Sequence, residues 1–135
     1  MALLTWNQKY SVGVHALDDQ HTGLFKILND LHAAMLKGQA QTLTGPLLKK
    51  LVDYTRTHFA DEESLMARTK YPGLTEHRAQ HQDLVKQVEG YVERFERGEI
   101  TLNVHLLNFL RDWLTNHIQK SDHQYGPWMN DHGVR

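Results

Sequence analysis

Apolar residues recur at spacings of three and four along four stretches of the chain, which is the signature of helices with one buried face. The first runs from about Asp18 to Lys37, with Leu17, His21, Leu24, Leu28, Leu31 and Met35 in line and Gly38 behind it. The second, from about Pro46 to Arg68, carries Leu47, Leu48, Leu51, Tyr54, Thr55, His58, Glu62, Leu65 and Met66. Thr44 is its candidate cap and Pro46 falls in its first turn. Tyr71-Pro72-Gly73 breaks it. The third spans about Glu76 to Arg97, with His77, His81, Leu84, Val88, Tyr91, Val92 and Phe95 on one side. The fourth spans about Leu102 to Lys120, with Leu102, Leu106, Phe109, Leu110, Trp113, Leu114 and His117, and Gly126-Pro127 is expected just beyond its end. No segment reads as a strand.

Helices of about 20 residues, each about 30 Å long, with short connections predict an all-α, antiparallel up-down-up-down four-helix bundle. Residues 1–17 form an N-terminal arm, and the bundle covers about 18–125. Trp6, Tyr10, Val12 and Val14 are apolar enough to pack the arm on the bundle, with Ser-Val-Gly-Val a candidate extended piece. No repeat, low-complexity stretch or linker divides the 135 residues, so one domain is expected. The Met1 start leads us to expect a complete chain.

Polar residues interrupt the core pattern in a particular way. His21, His58, Glu62, His77, His81 and His117 stand where the stripes call for Leu. In an up-down-up-down bundle, the start of helix one, the end of helix two, the start of helix three and the end of helix four share one end. All six residues therefore converge on one level. A single histidine on an apolar face is ordinarily a hydrogen-bonded core residue. Five imidazoles and a carboxylate buried without partners would instead cost several kcal/mol, so a metal site accounts for them better than coincidence. Asp122 is a seventh candidate. Its offset of five from His117 is about 140° around a regular helix, so it joins the site only if the last turn loosens or the side chain bends back. Asp61 and Glu63 flank Glu62, point about 100° to either side, and read as solvated surface residues.

The composition narrows the chemistry. Ten His and no Cys leave nitrogen and oxygen donors and exclude disulfides, thiolate zinc sites and cysteine nucleophiles. Fifteen basic against sixteen acidic residues give a net charge of −1, which provides no basic field for nucleic acid. No apolar run is long enough for membrane insertion, and no leader is evident, so a cytoplasmic location is the default expectation.

Several strings together carry a family resemblance: the arm from Trp6 to Val14, Asp19-Gln20-His21, His58-Phe59-x-x-Glu62-Glu63-x-x-Met66, Tyr71-Pro72, His77-x3-His81 and His117-Ile118-x3-Asp122-x-x-Tyr125. Over nearly its whole length the chain resembles the hemerythrin family, most closely the single-domain bacteriohemerythrins. The resemblance implies a non-haem di-iron centre bridged by an oxide or hydroxide. His77, His81 and His117 would bind one iron, His21 and His58 the other, with Glu62 and Asp122 bridging.

That ligand set fills all but one of the positions around two six-coordinate irons and leaves the vacancy beside His21 and His58. The implied function is reversible O2 binding for storage, delivery or sensing, not catalysis. An O2-consuming enzyme is a candidate partner. The alternative is a di-iron enzyme with peroxidase, ferroxidase or NO-handling activity, and a zinc or purely structural bundle is a third reading, since imidazole also suits zinc and copper. Leu24, Phe59, Trp113, Leu114 and Ile118 match the apolar O2 pocket of the family, and each is equally an ordinary core residue. Tyr125 and Gln20 are candidates to orient the ligands. His32 lies about 16 Å along helix one from His21, too far to ligate. His15, His105, His123 and His132 are expected at the surface.

Overall fold

The computed structural model describes residues 3–100 and 104–135, apart from the side chain of residue 40. Four long helical rods lie side by side. α1 is His15–Leu36, α2 is Ala40–Arg68 and α3 is Leu74–Glu96. The fourth rod is built in three parts that follow without a break: α4 Val104–Asn116, a π-helical segment His117–Asp122, and α5 His123–Asp131. There is no strand among the described residues. Leu102, expected at the head of the fourth stripe, lies outside them.

The stripes do what their spacing requires. Leu17, Leu24, Leu28 and Leu31 of α1 are buried together with Leu48 and Leu51 of α2, Leu84 and Val88 of α3, and Leu106, Leu110 and Leu114 of α4. Each such burial contributes about 1.5–3 kcal/mol against the entropy of ordering the chain. Just past the end of α1 stands Gly38, whose φ of +69° a side chain would resist.

Three boundaries differ from the sequence expectation. α2 begins at Ala40, so Thr44 and Pro46 stand inside it. Thr44 is wholly buried and extends the inward line of Leu48, Leu51 and Thr55 by one turn; packing, not capping, decides its position. α1 begins at His15, three residues early, after Ser11 Oγ and Val12 N–H have both bonded the Asp18 carboxylate at 2.6 and 2.8 Å. The fourth rod continues through Gly126-Pro127 to Asp131. Gly126 supplies the reason: a Cβ there would sit 2.1 Å from the Val12 carbonyl oxygen, so the bare backbone lets the N-terminal segment lie directly on the helix. Tyr125 and Met129, on either side, are fully buried. Tertiary contact thus overrides the breaking tendency of the Gly-Pro pair.

The N-terminal segment is tied down by matched polar bonds and rings. Leu4 N–H donates to Asn29 Oδ1 at 2.8 Å, and Asn29 Nδ2 returns a bond to the Leu4 carbonyl at 2.9 Å. Trp6 and Tyr10 meet Phe25 edge-on, at 5.4 and 5.0 Å between ring centres. Tyr10, Val12 and Val14 are buried. Ser11 to Val14 form no strand.

Candidate metal centre

Each helix delivers its share of the polar cluster to the same end of the bundle. His21 comes from the second turn of α1, His58 and Glu62 from the last third of α2, His77 and His81 from the first two turns of α3, and His117 and Asp122 from the ends of the π segment. All seven residues are at most 7% exposed. The π segment solves the offset that a regular helix could not. Its hydrogen bonds run five residues apart instead of four, so positions five apart share a face. His117 and Asp122 accordingly point into one pocket, with His117 Nε2 3.1 Å from Asp122 Oδ1.

The five Nε2 atoms fall into two groups, and both carboxylates span them. Glu62 Oε2 lies 3.2 Å from His21 Nε2 and 3.4 Å from His58 Nε2, while its Oε1 lies 3.2 Å from His81 Nε2. Asp122 Oδ2 lies 3.0 Å from His21 Nε2, while its Oδ1 lies 2.8 Å from His77 Nε2. Ligand atoms of Glu62, His77, His81, His117 and Asp122 lie within 4.8 Å of one another, and so do those of His21, His58 and Glu62.

Several of these atoms are close without being hydrogen-bonded. His58 Nε2, His77 Nε2, Glu62 Oε1 and both Asp122 oxygens are buried with no correctly aligned partner. Native proteins rarely leave buried polar atoms in that condition. They aim at common points between them, which is the arrangement two cations require. The donor set of neutral imidazoles and carboxylates suits iron, and the chain therefore fits a di-iron group on its own geometry.

The two buried carboxylates dominate the electrostatics of the pocket. Burial works against a charge on His21, yet the facing carboxylates of Asp122 and Glu62 outweigh it and push its pKa up to about 10. Burial would raise Glu62, but the nearby His58, His21 and His81 rings hold it well below the usual carboxylate range. Asp122 is also lowered, against burial and the nearby Glu62, by His117 and His21.

A second ring of residues aims the first. Gln20 Oε1 accepts from His58 Nδ1 at 2.6 Å, and Gln20 Nε2 donates to the exposed Asp61 at 2.9 Å, which fixes the orientation of the amide. The Tyr125 hydroxyl donates to Glu62 Oε2. Burial, with the charges of Asp122 and Glu62, pushes the Tyr125 phenol well above its ordinary range, so it keeps its proton. Tyr54 donates to the Gln20 carbonyl at 2.8 Å, and Gly23 leaves room for it: a Cβ there would lie 2.0 Å from the Tyr54 oxygen.

Two sequence readings need correction. Glu63, expected in solvent, has a side chain only 20% exposed and accepts from His81 Nδ1 at 2.9 Å and from Arg78 Nε at 2.9 Å. The 100° turn from Glu62 carries it onto the seam with α3. His123, expected at the surface, is half-buried with its Nε2 shut off from water, because it follows directly on the widened π turn. His15, His105 and His132 are exposed and His32 is half-buried.

Directly beneath the ligands lies a small apolar cavity of about 20 Å³. Leu24, Phe59, Trp113 and Leu114 line it, together with Thr55 and Leu84 among others. Leu24, Thr55, Leu84 and Leu114 each stand three residues from a histidine of the cluster, so the cavity is one helical turn below the ligand layer. A volume of 10–15 Å³ or more admits about one water-sized molecule. Ile118 is fully buried but does not line this cavity. Phe59 stacks flat on His81 at 3.7 Å, and Trp113 stacks on His117 at 4.5 Å.

Comparison with known proteins agrees with this geometry. Residues 12–129 match the family described as the hemerythrin HHE cation binding domain. The bacteriohemerythrin of Methylococcus capsulatus is 37% identical over 131 residues, covering 96% of this chain and 99% of the relative. That of Stenotrophomonas maltophilia is 36% identical over 132 residues, 98% of this chain and 85% of the relative. Myohemerythrin-1 of Phascolopsis gouldii is 31% identical and covers 89% of each chain. A crystal structure of wild-type hemerythrin superposes with a TM-score of 0.89 at 36% identity, over 95% of this chain and 98% of that one. The fold, the buried cluster and these likenesses agree: the chain belongs to the hemerythrin family.

Proposed function

We propose that this protein binds O2 reversibly at a non-haem di-iron centre, with His77, His81 and His117 on one iron, His21 and His58 on the other, and Glu62 and Asp122 bridging. The observation that carries the reading is the span of the two carboxylates, each reaching with separate oxygens toward both histidine groups. A ferrous pair held by these residues would supply the two electrons that reversible O2 capture needs.

The chain's own residues do the rest. Gln20 holds the His58 ring by its Nδ1, and Tyr125 holds Glu62 by a donated proton, so the donors are fixed before metal arrives. Leu24, Phe59, Trp113 and Leu114 keep the space beneath the ligands apolar, and Ile118 is buried in the same core. Excluding water from that space protects a captured diatomic molecule from protons and hydrolysis. The cavity has room for about one molecule of water or diatomic size, which suits O2.

No helix among the described residues is long and apolar enough to cross a membrane. A cytoplasmic location, a single domain, and delivery of O2 to an O2-consuming enzyme belong to the same reading. The test is the optical spectrum of iron-loaded protein, with iron counted by elemental analysis. A visible band that appears with O2 and vanishes on deoxygenation, at two irons per chain, is expected. Net O2 consumption without reversal would favour a peroxidase, ferroxidase or NO-handling enzyme. A colourless protein without iron would sink both.

A further inference from the structure

Among the described residues, Glu63 is the one carboxylate outside the seven-residue cluster that bonds a candidate ligand ring. It stands next to Glu62 on α2 and turns toward α3, where Arg78 and His81, three residues apart, present two nitrogens to it. Arg78 Nε donates to Oε1 and His81 Nδ1 meets Oε2, both at 2.9 Å. An ionised carboxylate can only accept, and a guanidinium can only donate. With Arg78 holding one oxygen, the second contact is a bond only when His81 carries a proton on Nδ1.

The other face of the same ring has the opposite need. His81 Nε2 lies 3.2 Å from Glu62 Oε1 and 3.2 Å from His117 Nε2, at the pocket where a metal would sit. In the neutral ring, a proton on Nε2 would serve Glu62 and block the metal. Two carboxylates therefore compete for one imidazole proton, and the outcome decides whether His81 is a ligand. His58 meets only a neutral partner, Gln20, on its Nδ1 side.

We propose that Glu63 is a positioning residue: it holds the His81 proton on Nδ1, with Arg78 fixing its carboxylate, so that the Nε2 lone pair faces the metal. Phe59 lies flat against the ring and prevents it from turning over, so the hydrogen bond sets the tautomer of a ring whose orientation is already fixed. The inference rests on the ligand role given to His81 above.

The test uses zinc, which is diamagnetic and removes O2 chemistry from the readout. Wild type loaded with zinc should show a His81 Nδ1–H proton in ¹⁵N-edited NMR that exchanges slowly with water, and E63A should lose it. Zinc affinity, measured against a chromophoric chelator, should fall about 10–100-fold in E63A, the usual cost of removing an outer partner of a metal ligand. The double variant E63Q/R78A is the rescue. With no guanidinium to satisfy, the amide oxygen is free to accept from Nδ1, and affinity should return to within about threefold of R78A alone.

Circular dichroism of the metal-free variants checks that the bundle is intact. The proposal is overturned if E63A keeps both the protected Nδ1–H and wild-type zinc affinity. It is equally overturned if E63Q/R78A binds zinc more than about threefold more weakly than R78A alone, since the lost charge and not the bond would then be responsible. Wild type that takes up no zinc or iron would instead remove the ligand assignment itself.

Discussion

Replacing Tyr125 by Phe removes one oxygen from a fully buried ring and leaves its shape in place, so the change isolates a single hydrogen bond to Glu62. A bond to a charged group is worth about 1.5–3 kcal/mol. His21 and His58 still face the same Glu62 oxygen at 3.2 and 3.4 Å, which puts the expected loss in the lower half of that range. For metal-free protein with a urea slope of about 2 kcal/mol per molar, a loss of about 1.5–2 kcal/mol moves the midpoint down by about 0.75–1 M. The slope itself should not change. Metal affinity should also fall about 10–100-fold, because the bridging carboxylate loses the group that aims it. A urea midpoint within about 0.2 M of wild type, well under the range a charged bond implies, would refute the claim that this phenol supports the carboxylate.

Other outcomes follow from the same geometry. His58→Ala should cost the two-histidine site its iron and abolish O2 binding, while His77→Ala should impair the three-histidine site; two irons per chain in both variants would contradict the division. Because His21 has a pKa near 10 in the metal-free fold, metal uptake at pH about 8 should release about one proton from it; a pH-stat should see that release fade as the pH passes 10. The raised His21 stabilises metal-free protein fully below pH 6.5 and ceases to do so as pH rises through 10, whereas lowered Glu62 and Asp122 lose their contribution as pH falls below the usual carboxylate range. Metal-free protein should therefore unfold more easily at both extremes, as a urea series across pH would show. Leu24→Ala enlarges the cavity below the ligands, and should cost about 2–5 kcal/mol and shorten the life of the O2 adduct by admitting water; an unchanged autoxidation rate would count against the pocket. Gly126→Ala should lift the N-terminal segment off α5 and cost about 2 kcal/mol or more from Val12 alone, read by thermal unfolding.

The sequence revealed most where the physics is local. Periodicity located the helices because a buried stripe must recur every three to four residues, and antiparallel connectivity then brought the histidines to one end. The points it missed depend on neighbours that are distant in sequence. Thr44 looks like a cap until its burial beside Leu48 is known, and Gly126-Pro127 looks like a stop until the Val12 carbonyl is seen against it. Glu63 is the clearest case. The pattern gives its angle from Glu62, but not which helix lies on that side, because the same stripes fit a bundle turning either way. His81 and Arg78, three apart and both able to donate, were the only available hint.

The π segment also says how tolerant this end of the bundle is to changes in chain length. A π turn is a regular helix holding one residue too many. Remove Gln119 or Lys120, both exposed, and Asp122 falls four positions after His117, about 40° around an ordinary helix and still on its face. Add a residue instead and the offset becomes six, about 240°, on the far side. The site is thus buffered against a deletion here and intolerant of an insertion, and sequences that vary in length at this point should do so in one direction only.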